Sequence, residues 1–396
     1  MHILVFDPRL GGHHLSWLRY VIEDLLSAGH RLTVALDGRG PAMTIYRNHL
    51  NDLLGQVSVD SVFDSAGRPK GGNRLAALNI GFTQSGADHA FINNLDEFAS
   101  SMLRRAALGR LPPGPLKGRL SGVYFRPRFL QNRWWPIGNI PKQAGFARLA
   151  NAGWFHRICL LDEYLWAEHR QRYARAGLTF LPDTWSGTFD LPQPVARARL
   201  DIATDKLVLL HYGLGTRRKG LHSVIQAMLS PTCPDRWHLL CAGQLSDDKK
   251  IAAGLHRLSA EGRATVLDRY VSKTEEQACF AASDIVVLPY VRHFGSSGVL
   301  SLAAAAGKFV IAADNGLIGR RVVEHRLGLC FAPGKVGELS QALAVAQMIV
   351  DADPHRIVKA AQHYAHQCDR RAFRKVLTSI YDAPDKGRSR GKSHAP

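Results

Sequence analysis

The opening stretch of the chain, residues 2–37, has a pattern that few folds can accommodate. Residues 2–6 are a mostly apolar run, a glycine-rich turn follows, and apolar residues then recur at helical spacing over 15–26. A second apolar run at 31–36 comes after another glycine. A strand, a helix and a strand in this order form the βαβ unit of a parallel sheet. Because both strands are largely apolar, we expect helices over both faces of that sheet.

The second half of the chain repeats this alternation. Strand-like apolar runs stand within 205–213, 237–243, 285–290 and 308–314, with helical patterns between them. The segment 180–194 before them is rich in proline and glycine and lacks apolar periodicity, as is typical of a linker. Two cores are also expected because 396 residues exceed what one hydrophobic core usually supports.

The sequence therefore predicts an α/β protein with two Rossmann-like domains. The predicted boundaries are an N-terminal domain at 1–185, a linker at 186–200, a C-terminal domain at 201–370 and a C-terminal segment at 371–396. Residues from about 385 onward are charged and contain no aromatic side chain, so we expect a disordered basic tail there.

Cysteine usage and hydropathy exclude several classes of protein. The six cysteines are scattered and never form a Cys-x-x-Cys pair, which argues against a zinc site or a disulfide framework. No uncharged apolar run approaches the ~18 residues of a membrane-spanning helix. The first residues resemble a strand rather than a signal peptide. These features predict a cytoplasmic protein without a metal centre.

The charge of the chain favours an anionic partner. Its 51 Lys and Arg against 33 Asp and Glu give a formal net charge of +18. Residues 101–150 hold ten of these basic residues, no acidic residue, and the aromatic pair Trp134 and Trp135. This basic stretch is either a solvated face or a surface that binds the anionic headgroups at the inner face of a membrane. No nucleic-acid-binding motif is present, so nucleic acid is not an expected partner.

The sequence "HFGSSGVLSLAAAAGKFVI", residues 293–311, predicts a turn that enters a helix after a buried strand. A helix N-terminus presents unpaired N–H groups and the positive end of its dipole, and so attracts phosphate. Glycine permits close approach of the backbone, and serine hydroxyls add donors. The predicted phosphate-binding residues are Ser296, Ser297, Gly298 and Val299. The alternative is that a serine merely caps a structural helix.

The order of motifs over 207–333 is similar to that of GT-B fold glycosyltransferases, and is most similar to the retaining glycosyltransferase family 4. It runs "LLHYGLGTRRKGL", "LLCAG", "YVSKTEEQACFAASDIVVLPY" and "GSSGVLSLAAAAGKFVIAADNG". The resemblance implies the GT-B fold, in which two Rossmann-like domains have parallel sheets that face an interdomain cleft. It also implies transfer of a sugar, with retention, from a nucleotide-sugar on the C-terminal domain to a glycan or lipid-linked acceptor on the N-terminal one. Such enzymes serve polysaccharide or glycoconjugate biosynthesis.

In this family a lysine before a glycine contacts the donor phosphates, and "TRRKG" places Lys219 at that position. The family's partner arginine is replaced here by Leu214, so Arg217 or Arg218 would have to supply the missing charge. Lys219, Arg218 and His293 are therefore the predicted catalytic residues, and Arg217 joins them as a phosphate-binding candidate. Three basic residues in a turn are otherwise a solvated loop.

The family's paired glutamates are missing from this chain. The second aligns with Leu302 or Ser301, the first with Phe294 or His293, and a later family glutamate with Gly319. Those carboxylates would bind the sugar and the ribose. Either the chain belongs to a divergent branch that uses His293 and the two serines of the turn instead, or catalysis is impaired.

The N-terminal half offers weaker candidates. "GGHH" matches the family's glycine-rich loop, which would bring Gly12 to the donor phosphate and His13 to either substrate. Asp96 and Arg126 follow predicted strands and are candidates for contact with the acceptor or the sugar; Asp96 could equally be a helix-capping carboxylate.

The family often recognises the base near the end of a strand in the C-terminal domain, which here points to Tyr270 and Val271, although core packing would account for them equally well. The resemblance implies no covalent nucleophile and no cofactor. Catalysis would rest on positioning and electrostatic stabilisation of the leaving diphosphate.

Two other functions compete with this interpretation. A nicotinamide-dependent oxidoreductase would need G-x-G-x-x-G after the first strand and an acid such as Asp37 after the second, but "LGGHHLSW" lacks the glycine spacing. A non-catalytic relative that has lost its carboxylates would keep the nucleotide-sugar or membrane binding without the chemistry.

Overall fold

The computed structural model describes residues 1–9, 13–40, 43–131, 136–353 and 355–382. The chain divides into two compact units: a first unit of residues 1–181 with the chain from 374 onward, and a second unit of residues 182–373. The first division lies just before the range predicted as a linker, 186–200. Within that range Gln193–Arg199 form a helix of the second unit. The predicted disordered tail lies outside the described residues.

The first unit is built on a seven-stranded sheet in the order β3-β2-β1-β4-β5-β6-β7. Its strands are β1 His2–Asp7, β2 Arg31–Leu36, β3 Ser58–Ser61, β4 His89–Ile92, β5 Leu120–Tyr124, β6 Phe155–Leu160 and β7 Leu178–Phe180. Its helices before the second unit are α1 His13–Ser27, α2 Thr44–Leu54, α3 Arg74–Ser85, α4 Asp96–Ala107, α5 Arg128–Gln131, α6 Asn139–Asn151 and α7 Glu163–His169.

The second unit has a six-stranded sheet in the order β10-β9-β8-β11-β12-β13. Its strands are β8 Leu207–Tyr212, β9 Trp237–Ala242, β10 Ala264–Leu267, β11 Ile285–Leu288, β12 Phe309–Ala313 and β13 Gly328–Phe331. Its helices are α8 Gln193–Arg199, α9 Leu221–Met228, α10 Lys249–Ala260, α11 Lys273–Ala282, α12 Gly298–Ala305, α13 Gly316–Glu324, α14 Val336–Ala352 and α15 Val358–Gln367. A last helix, α16 Arg370–Ser379, runs across residue 374 into the first unit, where Arg374 Nε donates to Asp24 at 2.8 Å.

Every ladder between named strands is parallel, and the central strands are buried along their length. β1, β8, β9 and β11 have every residue buried, as the continuous apolar runs predicted. Parallel strands need helical crossovers, and burial on both faces excludes the polar alternation seen in half-exposed sheets. The predicted α/β architecture with two parallel sheets is confirmed. None of the described helices is long and apolar enough to cross a membrane.

In both sheets the order in which strands are added reverses after the third strand, so that the first strand is central and has later strands on both sides. After β1 the chain builds outward through β2 and β3, then returns to place β4 on the other side of β1. The second unit repeats this with β8 flanked by β9 and β11. In open parallel sheets such a reversal leaves a crevice beyond the carboxyl ends of the two central strands, and ligands bind there.

Candidate functional site

The crevice of the second unit is bordered by two loops, residues 213–220 after β8 and residues 289–297 after β11. Gly220 has a φ of +76°, and a Cβ there would stand 1.9 Å from the carbonyl oxygen of Pro289. Only glycine permits this approach of the two loops. Their backbones are also joined directly, because Val291 N donates to the carbonyl of Arg218 at 2.9 Å.

Lys219, the predicted phosphate-binding lysine, lies at the junction of these loops. Its Nζ is 3.7 Å from the ring centroid of Tyr290, a cation–π contact with a tyrosine that is only 1% exposed. His211, at the end of β8, bonds through Nε2 to the Lys219 carbonyl at 3.4 Å. Burial lowers the pKa of His211 to about 4, so this histidine is neutral at ordinary pH. The lysine is therefore held from both its backbone and its side chain.

Tyr290 connects the lysine to the turn before α12. Its hydroxyl and the Ser297 hydroxyl are 3.3 Å apart, and its ring meets the His293 ring edge-on with centroids 5.1 Å apart. Ser297 occupies the N-cap position of α12, yet its side chain makes no capping hydrogen bond. The hydroxyl is engaged by Tyr290 instead, so the reading of Ser297 as a simple helix cap is not supported.

His293 is fixed in a single tautomer by its two neighbours. Its Nδ1 is 3.3 Å from Nη1 of Arg218, and its Nε2 is 3.1 Å from the carbonyl oxygen of Ser296. Since a guanidinium can only donate and a carbonyl can only accept, the ring proton stands on Nε2. The preceding Arg292 has a left-handed φ of +54°, a strained conformation that sets the direction of the turn. Arg218, Lys219 and His293 are thus brought together, as their prediction as one catalytic group requires.

Two charged residues at this site were missed by the sequence analysis. Arg321 of α13 is 2% exposed, and its Nη1 donates to the Ser296 hydroxyl at 2.6 Å. Asp183 is 7% exposed; burial raises the pKa of its carboxyl, while a hydrogen bond with Ser296 and the charges of Arg321 and Lys219 oppose that rise. The sequence could have indicated Arg321, because its helical spacing places it on the same buried face of α13 as Ile318 and Val322. Asp183 had no such signal, since it stands in a segment rich in proline and glycine.

The two positions that align with the second missing glutamate, Leu302 and Ser301, are filled by buried residues. Leu302 is 9% exposed, and Ser301 is fully buried with its hydroxyl donating to the Asp183 carbonyl at 2.7 Å. A carboxylate is nevertheless present beside α12, because the side chain of Asp183 comes from outside the aligned motif. Val299 is buried in the first turn of the helix, behind Gly298.

Other predicted residues of the second unit lie apart from this cluster. Arg217 forms an ion pair with Asp248, the N-cap of α10, and this hydrogen bond lowers the pKa of Asp248 to about 2. Its guanidinium therefore already has an acidic partner in this structure, whereas the sequence analysis expected it to bind a phosphate. Beyond β10, Tyr270 is 56% exposed and Val271 is buried. The side chain of Tyr270 is thus exposed, whereas Val271 belongs to the core.

The predicted site residues of the first unit are either outside the described residues or placed beside the turn after β5. Gly12 lies outside the described residues, and His13 begins α1 with a side chain that is likewise outside the description. Asp96 is the first residue of α4 and accepts backbone N–H bonds from Phe125 at 2.8 Å and Arg126 at 3.2 Å. Burial raises the pKa of Asp96. It therefore fixes the turn after β5 and does not cap α4, whose N-cap is Leu95, while the Arg126 side chain is exposed.

Part of the second unit matches a known protein family. Residues 206–347 match the family described as glycosyl transferases group 1. Glycogen synthase of Mycobacterium tuberculosis is 32% identical over 178 residues, which are 44% of this chain and 39% of that protein. The chain thus matches about two fifths of the length of this curated relative.

Several solved structures match nearly the whole chain at low identity. HepE of Anabaena in complex with UDP and glucose has a TM-score of 0.67 and 20% identity, covering 96% of this chain and 98% of its own. Sucrose-phosphate synthase of Thermosynechococcus elongatus has a TM-score of 0.65 and 16% identity, with coverages of 96% and 98%. WaaG, a glycosyltransferase involved in lipopolysaccharide biosynthesis, has a TM-score of 0.65 and 16% identity, with coverages of 97% and 100%. The resemblance inferred from the sequence is therefore confirmed: the chain has the GT-B fold, and residues 206–347 of its second unit match the glycosyl transferases group 1 family.

Proposed function

We propose that this protein is a glycosyltransferase that moves a sugar, with retention, from a nucleotide-sugar to a glycan or lipid-linked acceptor. It would act in polysaccharide or glycoconjugate biosynthesis. The observation that carries the proposal is the junction of two loops at the crevice of the second unit, where Lys219, Arg218 and the N-terminus of α12 meet. A UDP-sugar is the first donor to test, since HepE has been solved in complex with UDP-glucose.

The chemistry of such a transfer suits this cluster. As the glycosidic bond breaks, negative charge grows on the departing diphosphate, and a fixed lysine and oriented N–H groups stabilise it without reorganisation. Retention requires no protein nucleophile when a leaving phosphate oxygen helps to deprotonate the incoming hydroxyl. The chain needs no carboxylate for that step, so the missing glutamates are compatible with activity. The protein then contributes orientation and charge.

A ligand screen tests the proposal directly. Purified protein is melted with UDP-, GDP-, ADP- and dTDP-sugars; saturation at 100 times the dissociation constant stabilises the native state by about 2.7 kcal/mol. Lys219→Ala should lose that stabilisation and slow transfer or hydrolysis about a hundredfold. Lys359→Ala, an exposed lysine of α15, is the matched control and should change neither. A protein that none of the four nucleotide-sugars stabilises would contradict the assignment.

The alternative is a binding protein without catalysis, and the absence of acids at the aligned glutamate positions favours it. It predicts the same melting shift but no turnover of any nucleotide-sugar, even with a broad set of acceptor glycans. Measurement of free nucleotide released from the stabilising sugar therefore separates the two functions.

We propose that the basic stretch of the first unit binds an anionic membrane surface. Leu108 is 78% and Ile137 68% exposed, beside the exposed Arg104 of α4. Burial lowers the pKa of Lys142, and the charges of Arg104 and Arg128 lower it further, so these cations crowd one face. Exposed apolar side chains among cations suit a lipid boundary. Binding to phosphatidylserine vesicles should fall as salt rises from 0.05 to roughly 0.5 M, and vesicles of phosphatidylcholine alone should not bind.

A further inference from the structure

Asp183 is an acid at the proposed phosphate-binding end of α12, a place where the proposed chemistry has no use for one. Its Oδ1 lies 3.7 Å from where a Cβ on Gly298, the first residue of α12, would stand. Its carbonyl oxygen accepts from the Ser301 hydroxyl at 2.7 Å, which ties its backbone to the same helix. A negative charge at a helix N-terminus is favoured by the helix dipole. The carboxylate thus stands where an anionic ligand would be expected.

Asp183 also balances a buried cation. Arg321 donates to the Ser296 hydroxyl, which leaves the hydroxyl proton of Ser296 for the Asp183 carboxylate. A guanidinium that is 2% exposed needs a counter-charge, because an unpaired buried charge is strongly destabilising. The relay from Arg321 through Ser296 to Asp183 provides one in the free protein.

Building on the proposed function, we propose that Asp183 is an internal counter-ion that competes with the donor diphosphate for the N-terminus of α12 and for Arg321. An incoming diphosphate would bring two further negative charges to a carboxylate that cannot move away, because both its backbone and its side chain are held. The repulsion disappears when the carboxyl takes up a proton. Binding of a nucleotide-sugar should therefore be coupled to proton uptake and weaken as pH rises.

The surroundings of Asp183 are consistent with that coupling. Burial raises the pKa of this carboxyl, which brings its protonation closer to neutral pH. The charged groups that face it are Lys219 from the loop after β8 and Arg321 from α13. Cys368, beyond α15, also faces it, and burial raises the pKa of that thiol to about 12, so the thiol stays neutral.

The test uses Asp183→Asn in the full chain, with UDP-glucose and inorganic pyrophosphate as probes. Without ligand the variant should melt at a lower temperature, since one negative charge that interacts with the buried Arg321 has been removed. Yet each probe should raise its melting temperature more than that of the wild type, and its dissociation constant at pH 8 should be about tenfold lower. The difference should shrink as pH falls, because the wild-type carboxyl then takes up a proton.

Asp284→Asn is the matched control. Asp284 is a second carboxylate of the same unit, and its Oδ2 is 2.7 Å from Nη2 of the buried Arg197, just before β11 at the opposite edge of the sheet. Loss of this pair should also lower the melting temperature. Its ligand-induced shift, however, should equal that of the wild type.

The outcomes separate this inference from the proposed function. Equal or weaker binding of both probes by Asp183→Asn at pH 8 would overturn the inference, while the wild-type melting shift would still support a donor site. A wild type that binds neither probe would remove both proposals. If the variant does not fold, calorimetry of the wild type with UDP-glucose in two buffers of different ionisation enthalpy decides: proton uptake on binding supports the inference, and its absence refutes it.

Discussion

The two sheets reverse their strand order in the same way but place opposite chemistry at the reversal. In the first unit the carboxyl ends of β1 and β4 carry Asp7 and Asn93, both buried, with the Asn93 amide donating to the carboxylate at 2.6 Å. In the second unit the ends of β8 and β11 lead to Lys219 and Tyr290. The topology decides where a crevice forms, whereas the loop residues decide which charge it accepts.

This difference explains why an anion site is expected in the second unit. Burial raises the pKa of Asp7 to about 6, so at neutral pH the carboxyl is mostly ionised and would repel a phosphate. Arg9 is close by, but its guanidinium is engaged by Glu97. The junction of Lys219, Arg218 and the α12 N-terminus offers the reverse balance of charge. The predictions below test this contrast, from the largest expected effect to the smallest.

The largest effect should come from separating the two loops of the second unit. Gly220→Ala places a Cβ 1.9 Å from the Pro289 carbonyl, so one loop must move and Lys219 with it. We expect at least a hundredfold loss of transfer, because misplacement of a charge by about 1 Å costs that much. Gly262→Ala is the control, since Gly262 has a similar φ of +68° but open space around its Cβ position. It should cost about 1 kcal/mol of stability and leave transfer intact. Equal activity of the two variants would contradict the claim that the close approach of these loops positions Lys219.

The second prediction concerns the acid of the first unit. A carboxyl whose folded pKa is raised destabilises the native state once it ionises. For Asp7 the free energy of unfolding should therefore fall by about 3 kcal/mol as pH rises from 3.8 to about 6, and stay level above. Asp7→Asn should remove that decline in denaturant titrations across pH.

Asp37 gives the opposite sign and serves as the comparison. Its hydrogen bond with Arg39 lowers its pKa, so its contribution to stability is present above the unfolded pKa and disappears as pH falls through the folded one. Asp37→Asn should therefore lose stability at neutral pH, unlike Asp7→Asn. If both variants changed the free energy of unfolding at neutral pH in the same direction, the opposite pKa shifts assigned to Asp7 and Asp37 would be wrong.

The periodic and glycine-marked parts of the chain were predictable from the sequence. Continuous apolar runs predicted the central strands, and "TRRKG" and "GSSG" predicted the two loops of the crevice, because each pattern reflects a local constraint on backbone and burial. The pairing of Arg217 with Asp248 could not be predicted, since it joins the ends of two strands that are adjacent only in the folded sheet.

The same limit applies to the acid beside α12. Asp183 stands more than a hundred residues before that helix, in a segment whose prolines and glycine indicate only a linker. Asp96 shows a related limit: the sequence left it as either a substrate contact or a helix cap, and its bonds to the backbone of Phe125 and Arg126, which come from another strand end, could not be predicted.

The third prediction examines the aromatic contact of the lysine. Tyr290→Leu removes the ring under Nζ of Lys219, and a desolvated cation–π contact is worth about 2 kcal/mol. We expect KM for the nucleotide-sugar to rise roughly tenfold or more, on the order of that energy. Tyr290→Phe keeps the ring and loses only the hydroxyl contact with Ser297, so it should change KM less. A Phe variant as impaired as the Leu variant would assign the effect to the hydroxyl instead.

The smallest effect distinguishes two neighbouring arginines. Arg217 is already paired with Asp248 on an exposed surface, and such pairs contribute about 0–1 kcal/mol, so Arg217→Ala should leave the affinity for nucleotide-sugar within about twofold. Arg218→Ala removes the donor to Nδ1 of His293 and frees that ring to adopt the other tautomer. The Arg218 variant should therefore weaken donor binding severalfold, measured by calorimetry at fixed salt. A larger loss of affinity in Arg217→Ala than in Arg218→Ala would contradict this assignment. It would mean that Arg217 leaves Asp248 and contacts the diphosphate when the nucleotide-sugar binds.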